Sequence, residues 1–230
     1  NIGLVGIEQE LAKGENNDTL FRLEEDESGT HIFNSKDLNL SAHIAKIMES
    51  GAVDSLKIEG RTKSEYYAAC TAGAYRRAID DAVVGCFDPK IYADELNTLK
   101  NRGFSDGYLI SRPFEKSDSQ NLQTSISEGW AQVDAFSEDG KTFKAKGQVF
   151  KNKAYELLSP ANEKISLGED EIGRVYQKEG KTFVEFKKLI SPTGKAFESV
   201  HSGNVNDICL PAGTPPFSFL RSKTENKDEK

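Results

Sequence analysis

The stretch Asp54-Ser55-Leu56-Lys57-Ile58-Glu59-Gly60-Arg61-Thr62-Lys63 decides how the chain is read, because a short alternating apolar run meets a glycine and then a long helical pattern. The alternation predicts a strand. Leu56 and Ile58 share one face of it, Lys57 and Glu59 share the other, and Gly60 supplies a turn conformation that a side chain would forbid. Lys57, Glu59, Arg61 and Lys63 then converge at the carboxyl end of that strand, the end at which α/β proteins bind ligands. Three cations around one acid beside a helix start form an anion-binding arrangement. Arg61 is the candidate bidentate ligand for a carboxylate or phosphate, with Lys63 beside it, and Lys57 is a second donor. Glu59 and Lys57 are the candidate catalytic residues. Glu59 has two readings, a general base or the residue that holds Arg61, and an acid so close to cations stays ionised and shuttles protons poorly. A purely structural reading competes: an ion-pair cluster that closes a barrel end and caps a helix.

Working outward, Thr30 to Phe33 reads as a strand whose end delivers Asn34-Ser35-Lys36-Asp37, a polar cluster of the kind found in loops after barrel strands. Asn34, Lys36 and Asp37 are therefore candidate substrate-binding residues, with a local salt bridge as the competing account of the last two. Leu40, Ile44, Ile47 and Met48 fall at helical spacing, so residues 40–50 should be an amphipathic helix stopped by Gly51. From Lys63 to Val84 the pattern is again helical, rich in alanine, with Arg76–Asp80 and Arg77–Asp81 at i, i+4. Asp88-Pro89 is a cap and first-turn proline, and Tyr92, Leu96 and Leu99 are the stripe of a further helix expected to end at Gly103. This strand–loop–helix order is the βαβ rhythm of a parallel sheet. The acidic run Glu24-Glu25-Asp26-Glu27 reads as a solvated surface.

The texture changes after residues 111–128, which are polar and aperiodic and read as a linker. Short candidate strands follow at Trp130–Phe136, Thr142–Gln148, Ala154–Leu158, Glu163–Leu167, Gly173–Gln177, Thr182–Lys188 and Val205–Leu210, the spacing of a small antiparallel barrel. The expected organisation is an α/β segment over 1–110, a linker over 111–128, a β-barrel domain over 129–222 and a disordered tail over 223–230. Lys141, Lys144, Lys146, Lys151 and Lys153, interleaved with Phe143, Phe150 and Tyr155, have the composition of an RNA-presenting surface. Plain strand alternation, with lysines in water and aromatics inside, explains the same pattern unaided.

Asn34-Ser35-Lys36-Asp37-Leu38, then Ser55 to Tyr67, then Ala74-Tyr75-Arg76-Arg77-Ala78-Ile79-Asp80, resemble the peptidase U32 family, also called collagenase-like proteases. The resemblance is close over about residues 29 to 110 and looser beyond about 127. It implies the terminal part of a TIM-like (βα) barrel followed by a small antiparallel β-barrel. It also implies one of two activities: hydroxylation of the wobble uridine of tRNA to 5-hydroxyuridine, or the peptidase (hydrolase) activity or peptide binding of the family name. Candidate partners are accordingly tRNA or peptide, and a homodimer is carried as a further expectation. The family's cysteine motif is absent from this sequence, so no cofactor or metal is expected within the chain. An iron–sulfur cluster or zinc would lie in the family's upstream part.

The 230 residues carry a net charge of -7, which argues against nonspecific coating of nucleic acid and confines any RNA contact to a local patch. Cys70, Cys86 and Cys209 are odd in number and widely spaced, as reduced thiols of a cytoplasmic protein would be. Asn1 to Ile7 is too short for a secretion signal, nothing reads as membrane-spanning, and the sequence is expected to begin inside a longer protein. His31, His43 and His201 are scattered and read as structural. No HExxH, GxSxG or Cys/His pair supports proteolysis.

Overall fold

The computed structural model describes residues 9–11, 21–26, 29–32, 36–110, 129–160 and 163–224. The chain divides into two compact units, residues 1–57 with 74–129, and residues 58–73 with 130–230. The expected linker 111–128 and the residues from 225 onward lie outside the described residues.

In the first unit, β1 (Gln9–Leu11), β2 (Phe21–Asp26) and β3 (Gly29–Ile32) form an antiparallel sheet. β4 (Asp37–Leu38) pairs in parallel with β5 (Phe104–Ser105), and between them in sequence come α1 (Ile44–Glu49), α2 (Glu65–Val84), which belongs to this unit from Ala74 onward, and α3 (Pro89–Leu96). The helices follow the apolar periodicity. Ile44, Ala78 and Tyr92 are fully buried together, with Tyr75 and Phe87 packed against them. Asp88 caps α3 by accepting from the Lys90 amide, and Pro89 takes the first turn. The helix expected to reach Gly103 stops at Leu96. There the Thr98 hydroxyl and the Leu99 amide turn back onto the last carbonyls, and Asn101 bridges to the Leu99 carbonyl and the Gly103 amide. Leu99 is nevertheless buried.

The βαβ expectation is met only in part. Among the described residues, parallel pairing is limited to the two-residue β4–β5 contact. Residues 55–60 form no strand, and Leu56 is 38% and Ile58 41% exposed. Alternation alone makes a strand only where a neighbouring strand supplies the ladder and something covers the apolar face.

The second unit contains β6 (Ala131–Ser137), β7 (Thr142–Ala145), β8 (Val149–Phe150), β9 (Ala154–Leu158), β10 (Gly168–Glu169), β11 (Gly173–Lys178), β12 (Lys181–Phe186), β13 (Leu189–Ile190), β14 (Ala196–Phe197), β15 (Ser199–Val200), β16 (Ile208–Cys209) and β17 (Ser218–Lys223). Eight of them make one antiparallel sheet in the order β10-β11-β12-β9-β17-β6-β7-β16. It is a large curled sheet whose end strands, β10 and β16, are not paired to each other, so the closed barrel expected from strand spacing gives way to an open one. Val149, Tyr155, Val184, Phe186 and Ile208 fill the concave side. Residues 163–167, expected as a strand, form none. The longest strand that the sequence reading omitted is β17, which lies between β6 and β9 at the sheet's centre and extends to Lys223; the two-residue β8, β10, β13, β14 and β15 were omitted as well.

Candidate functional site

The signature segment starts α2. Ser64, the residue just before α2, caps it by accepting from the Tyr67 amide at 3.3 Å, and the Lys63 amide closes a turn onto the Gly60 carbonyl at 3.0 Å. The need for glycine at 60 is spatial and not conformational. Gly60 is not among the residues with positive φ, but a Cβ there would sit 2.7 Å from the Tyr67 ring. The Tyr67 hydroxyl reaches the Glu59 carbonyl at 3.4 Å, and the Lys63 ammonium lies 5.3 Å from the ring centroid. Arg61 Nε donates to Glu59 Oε1 at 2.7 Å with the two side chains 85% and 55% exposed. Glu59, Arg61, Lys63 and Tyr67 therefore form one local, solvent-facing group with cations at its rim. Lys57 is exposed.

The remaining sequence candidates fall in the first unit. Asp37 accepts from Arg102 Nη2 at 2.6 Å, from Nε at 3.0 Å and from the Arg102 amide at 3.2 Å, so it is held by an arginine that the sequence reading did not single out. The Lys36 methylenes pack 3.6 Å from where a Cβ of Gly103 would be. Asn34 lies outside the described residues. His43 comes within 3.6 Å of Asp106. Cys70, Cys86 and Cys209 form no disulfide, and among the described residues no group of three or more His, Cys, Asp or Glu side chains converges as a metal site.

The lysine-and-aromatic region resolves along strand alternation. Phe143 and Tyr155 are 1% and 0% exposed, inside the core, while Lys146 reaches Glu65 at 3.9 Å and Lys151 reaches Glu198 at 2.7 Å. Burial pushes the Tyr155 phenol up to about 12, and its hydroxyl accepts from the Phe150 amide at 2.8 Å.

The strongest polar cluster escaped the sequence reading altogether. Arg221 of β17 is 1% exposed, gripping Glu156 of β9 bidentately at 2.9 and 3.0 Å and donating through Nη1 to the Tyr66 hydroxyl at 3.0 Å. Lys181 reaches the same carboxylate at 3.0 Å. Burial raises the Glu156 carboxyl, but the bonds to Arg221 and Lys181 outweigh it and leave the group below its ordinary value. Tyr66 also meets Phe219 edge-on at 5.5 Å. The Tyr66 of the signature thus packs on the central strand of the sheet. The retrievable signal was Phe219-x-Arg221-x-Lys223, an alternating run next to the prolines at 211, 215 and 216.

Residues 8–119 match the model of peptidase family U32. The chain carries a peptidase family U32 segment. It is 51% identical over 213 residues to a Helicobacter pylori protein named tRNA hydroxylation protein P, covering 92% of this chain and 50% of that one. An Escherichia coli protein of the same name is 39% identical over 153 residues, covering 61% and 33%. A Porphyromonas gingivalis protein named collagenase is 34% identical over 93 residues, covering 39% and 22%. The chain spans about half the length of the two Helicobacter pylori relatives. No solved structure matches it. Among the described residues no helix is long and apolar enough to cross a membrane.

Proposed function

We propose that this U32 chain takes part in hydroxylating the wobble uridine of tRNA, in the cytoplasm, with the Glu59–Arg61–Lys63 group meeting an RNA phosphate. The observation that carries the reading is the 51% identity over 213 residues to a protein named for tRNA hydroxylation. In this reading Arg61 and Lys63 bind the anion and Lys57 adds a donor. Of the two roles open to Glu59, the 2.7 Å contact favours holding Arg61 in place over accepting a proton. Lys36 and Asp37 would support the substrate from the β4 end. We take the helices between β4 and β5 as part of a TIM-like barrel, a reading supported by their parallel pairing and by the exposure of Leu38 at 63% and Val53 at 48%.

An iron–sulfur or zinc group, implied by the family resemblance, does not fit the residues present here. Cys70 lies on α2, Cys86 in the segment between α2 and α3 and Cys209 on β16, and no ligand set converges among the described residues, so no step is assigned to such a group within this chain.

The test is the 5-hydroxyuridine content of tRNA, measured by mass spectrometry in cells lacking the gene and in cells supplied with wild type or Arg61→Ala. The proposal expects loss on deletion, recovery with wild type and no recovery with Arg61→Ala. Unchanged 5-hydroxyuridine on deletion overturns it. A second reading, peptide binding or cleavage, rests on the collagenase name of the Porphyromonas gingivalis relative. Gelatin binding or breakdown by the purified protein would favour it.

A further inference from the structure

The convex side of the sheet carries a constellation separate from the signature group. Trp130, the chain's single tryptophan, is 38% exposed just before β6. The ammonium groups of Lys181 and Lys223 lie 5.6 and 6.0 Å from its ring centroid, and the Arg221 guanidinium lies 6.0 Å away. Lys181 and Phe183 are two apart on β12 and share that side of the sheet. Phe183 stands opposite Tyr176 in the ladder, the two half-buried rings stack at 5.8 Å with 26° between planes, and Arg174 covers Tyr176 at 4.7 Å. Lys178 stands opposite Lys181. A continuous band of alternating aromatics and cations therefore runs from Trp130 to Arg174.

Two features separate this band from ordinary sheet covering. The concave side already holds the core, through Val175, Val184 and Phe186, so the outward rings are surplus to it. The charge balance is also local: Arg174, Lys178, Lys181 and Lys223, with the buried Arg221 behind them, stand beside the carboxylates Glu156, Glu169, Glu179 and Glu185, near balance in a chain whose total is -7. Rings with exposed faces beside phosphate-seeking cations bind unpaired bases, because stacking needs a base free of its duplex and is tolerant of sequence.

We propose that this band binds an unpaired tRNA loop, with a base stacked on Trp130, further bases on the Tyr176–Phe183 pair, and the backbone held by Lys178, Lys181 and Lys223. The inference rests on the tRNA reading above and adds the surface that makes the contact.

The test uses the whole 230-residue chain and an anticodon stem–loop RNA with uridine at the wobble position, with an RNA duplex of equal length as the comparison. Because Trp130 is the only tryptophan, its fluorescence reports stacking directly. The expected result is saturable, salt-sensitive quenching by the stem–loop. Phe183→Ala should weaken binding roughly tenfold. Lys223→Glu, at an exposed position, should lower the log–log salt slope by about one while circular dichroism and melting stay as in wild type. Binding without quenching, equal affinity for the duplex, or wild-type affinity in both variants overturns the surface. The two readings fail separately: 5-hydroxyuridine that disappears on gene deletion yet is fully restored by Lys223→Glu and Phe183→Ala overturns the surface alone, whereas 5-hydroxyuridine indifferent to deletion overturns the tRNA reading.

Discussion

Arg61–Glu59 and Arg221–Glu156 are two arginine–carboxylate pairs of nearly equal length, 2.7 and 2.9 Å, in the same unit. Their surroundings differ completely: side-chain exposures are 85% and 55% for the first, 1% and 13% for the second. The exposed pair is screened by water and contributes at most about 1 kcal/mol, so its groups remain available to a ligand. The buried pair has lost its hydration, and each partner now depends on the other and on Tyr66 and Lys181. Identical chemistry therefore stays open to solvent in one place and ties strands together in the other, and burial decides which.

The largest effect that could break this contrast is at the buried pair. Arg221→Ala leaves the Glu156 carboxylate with Lys181 alone and the Tyr66 hydroxyl without its donor, and should cost about 3 kcal/mol in urea unfolding. Arg221→Lys, which cannot make the fork onto Glu156 and also reach Tyr66, should recover only part of it. A loss below about 1 kcal/mol would place Arg221 in the same class as Arg61.

The second effect is a pH dependence of stability with two opposed contributions. Glu156 has a folded value below its unfolded one, so its contribution is present above the ordinary carboxylate range, about pH 4, and is lost as pH falls through the folded value. Asp134 is the reverse. It is fully buried, its Oδ2 has no hydrogen-bond partner among the described residues, and burial raises it. Its protonated form is favoured below the ordinary range, and stability is lost as pH rises through the folded value. Asp134→Asn should therefore be more stable than wild type at pH 7, by about 1 kcal/mol, with the gap closing near pH 4 and below. Melting curves of both proteins across that range check it, and a gap that widens on acidification would reverse the assignment.

A smaller effect sharpens the exposed side. Gly60→Ala places a methyl group against the Tyr67 ring, which is half-buried and must shift, so the expected cost is about 1 kcal/mol or less. The change should weaken tRNA binding more than it lowers the melting temperature, since Tyr67 braces the Glu59 carbonyl. Equal tRNA affinity with lowered stability would make Tyr67 purely structural.

Legibility in the sequence follows contact range. Helical periodicity, the Asp88-Pro89 cap and the Glu59–Arg61 pairing are local, and each is readable from residues within a turn or two. β17 was not, because its flanking prolines and its lysine end look like a tail, and its place between β6 and β9 depends on partners far off in sequence. The Arg221–Tyr66 bond spans 155 residues, a separation at which no spacing rule operates. Conversely, Leu56 and Ile58 look like a strand because alternation is local, while the ladder that would make one is not. In the lysine-rich hairpin alternation sends Phe143 and Tyr155 inward and leaves Phe150 40% exposed, while Trp130, Tyr176 and Phe183 lie outside that hairpin.

The contrast between the two pairs is tested most directly by Arg61→Ala, scored in one preparation for unfolding free energy and in cells for tRNA 5-hydroxyuridine. An exposed, ligand-facing arginine predicts stability within about 0.5 kcal/mol of wild type and loss of the modified nucleoside. Retained 5-hydroxyuridine in the Arg61→Ala strain, at wild-type level, would contradict the account.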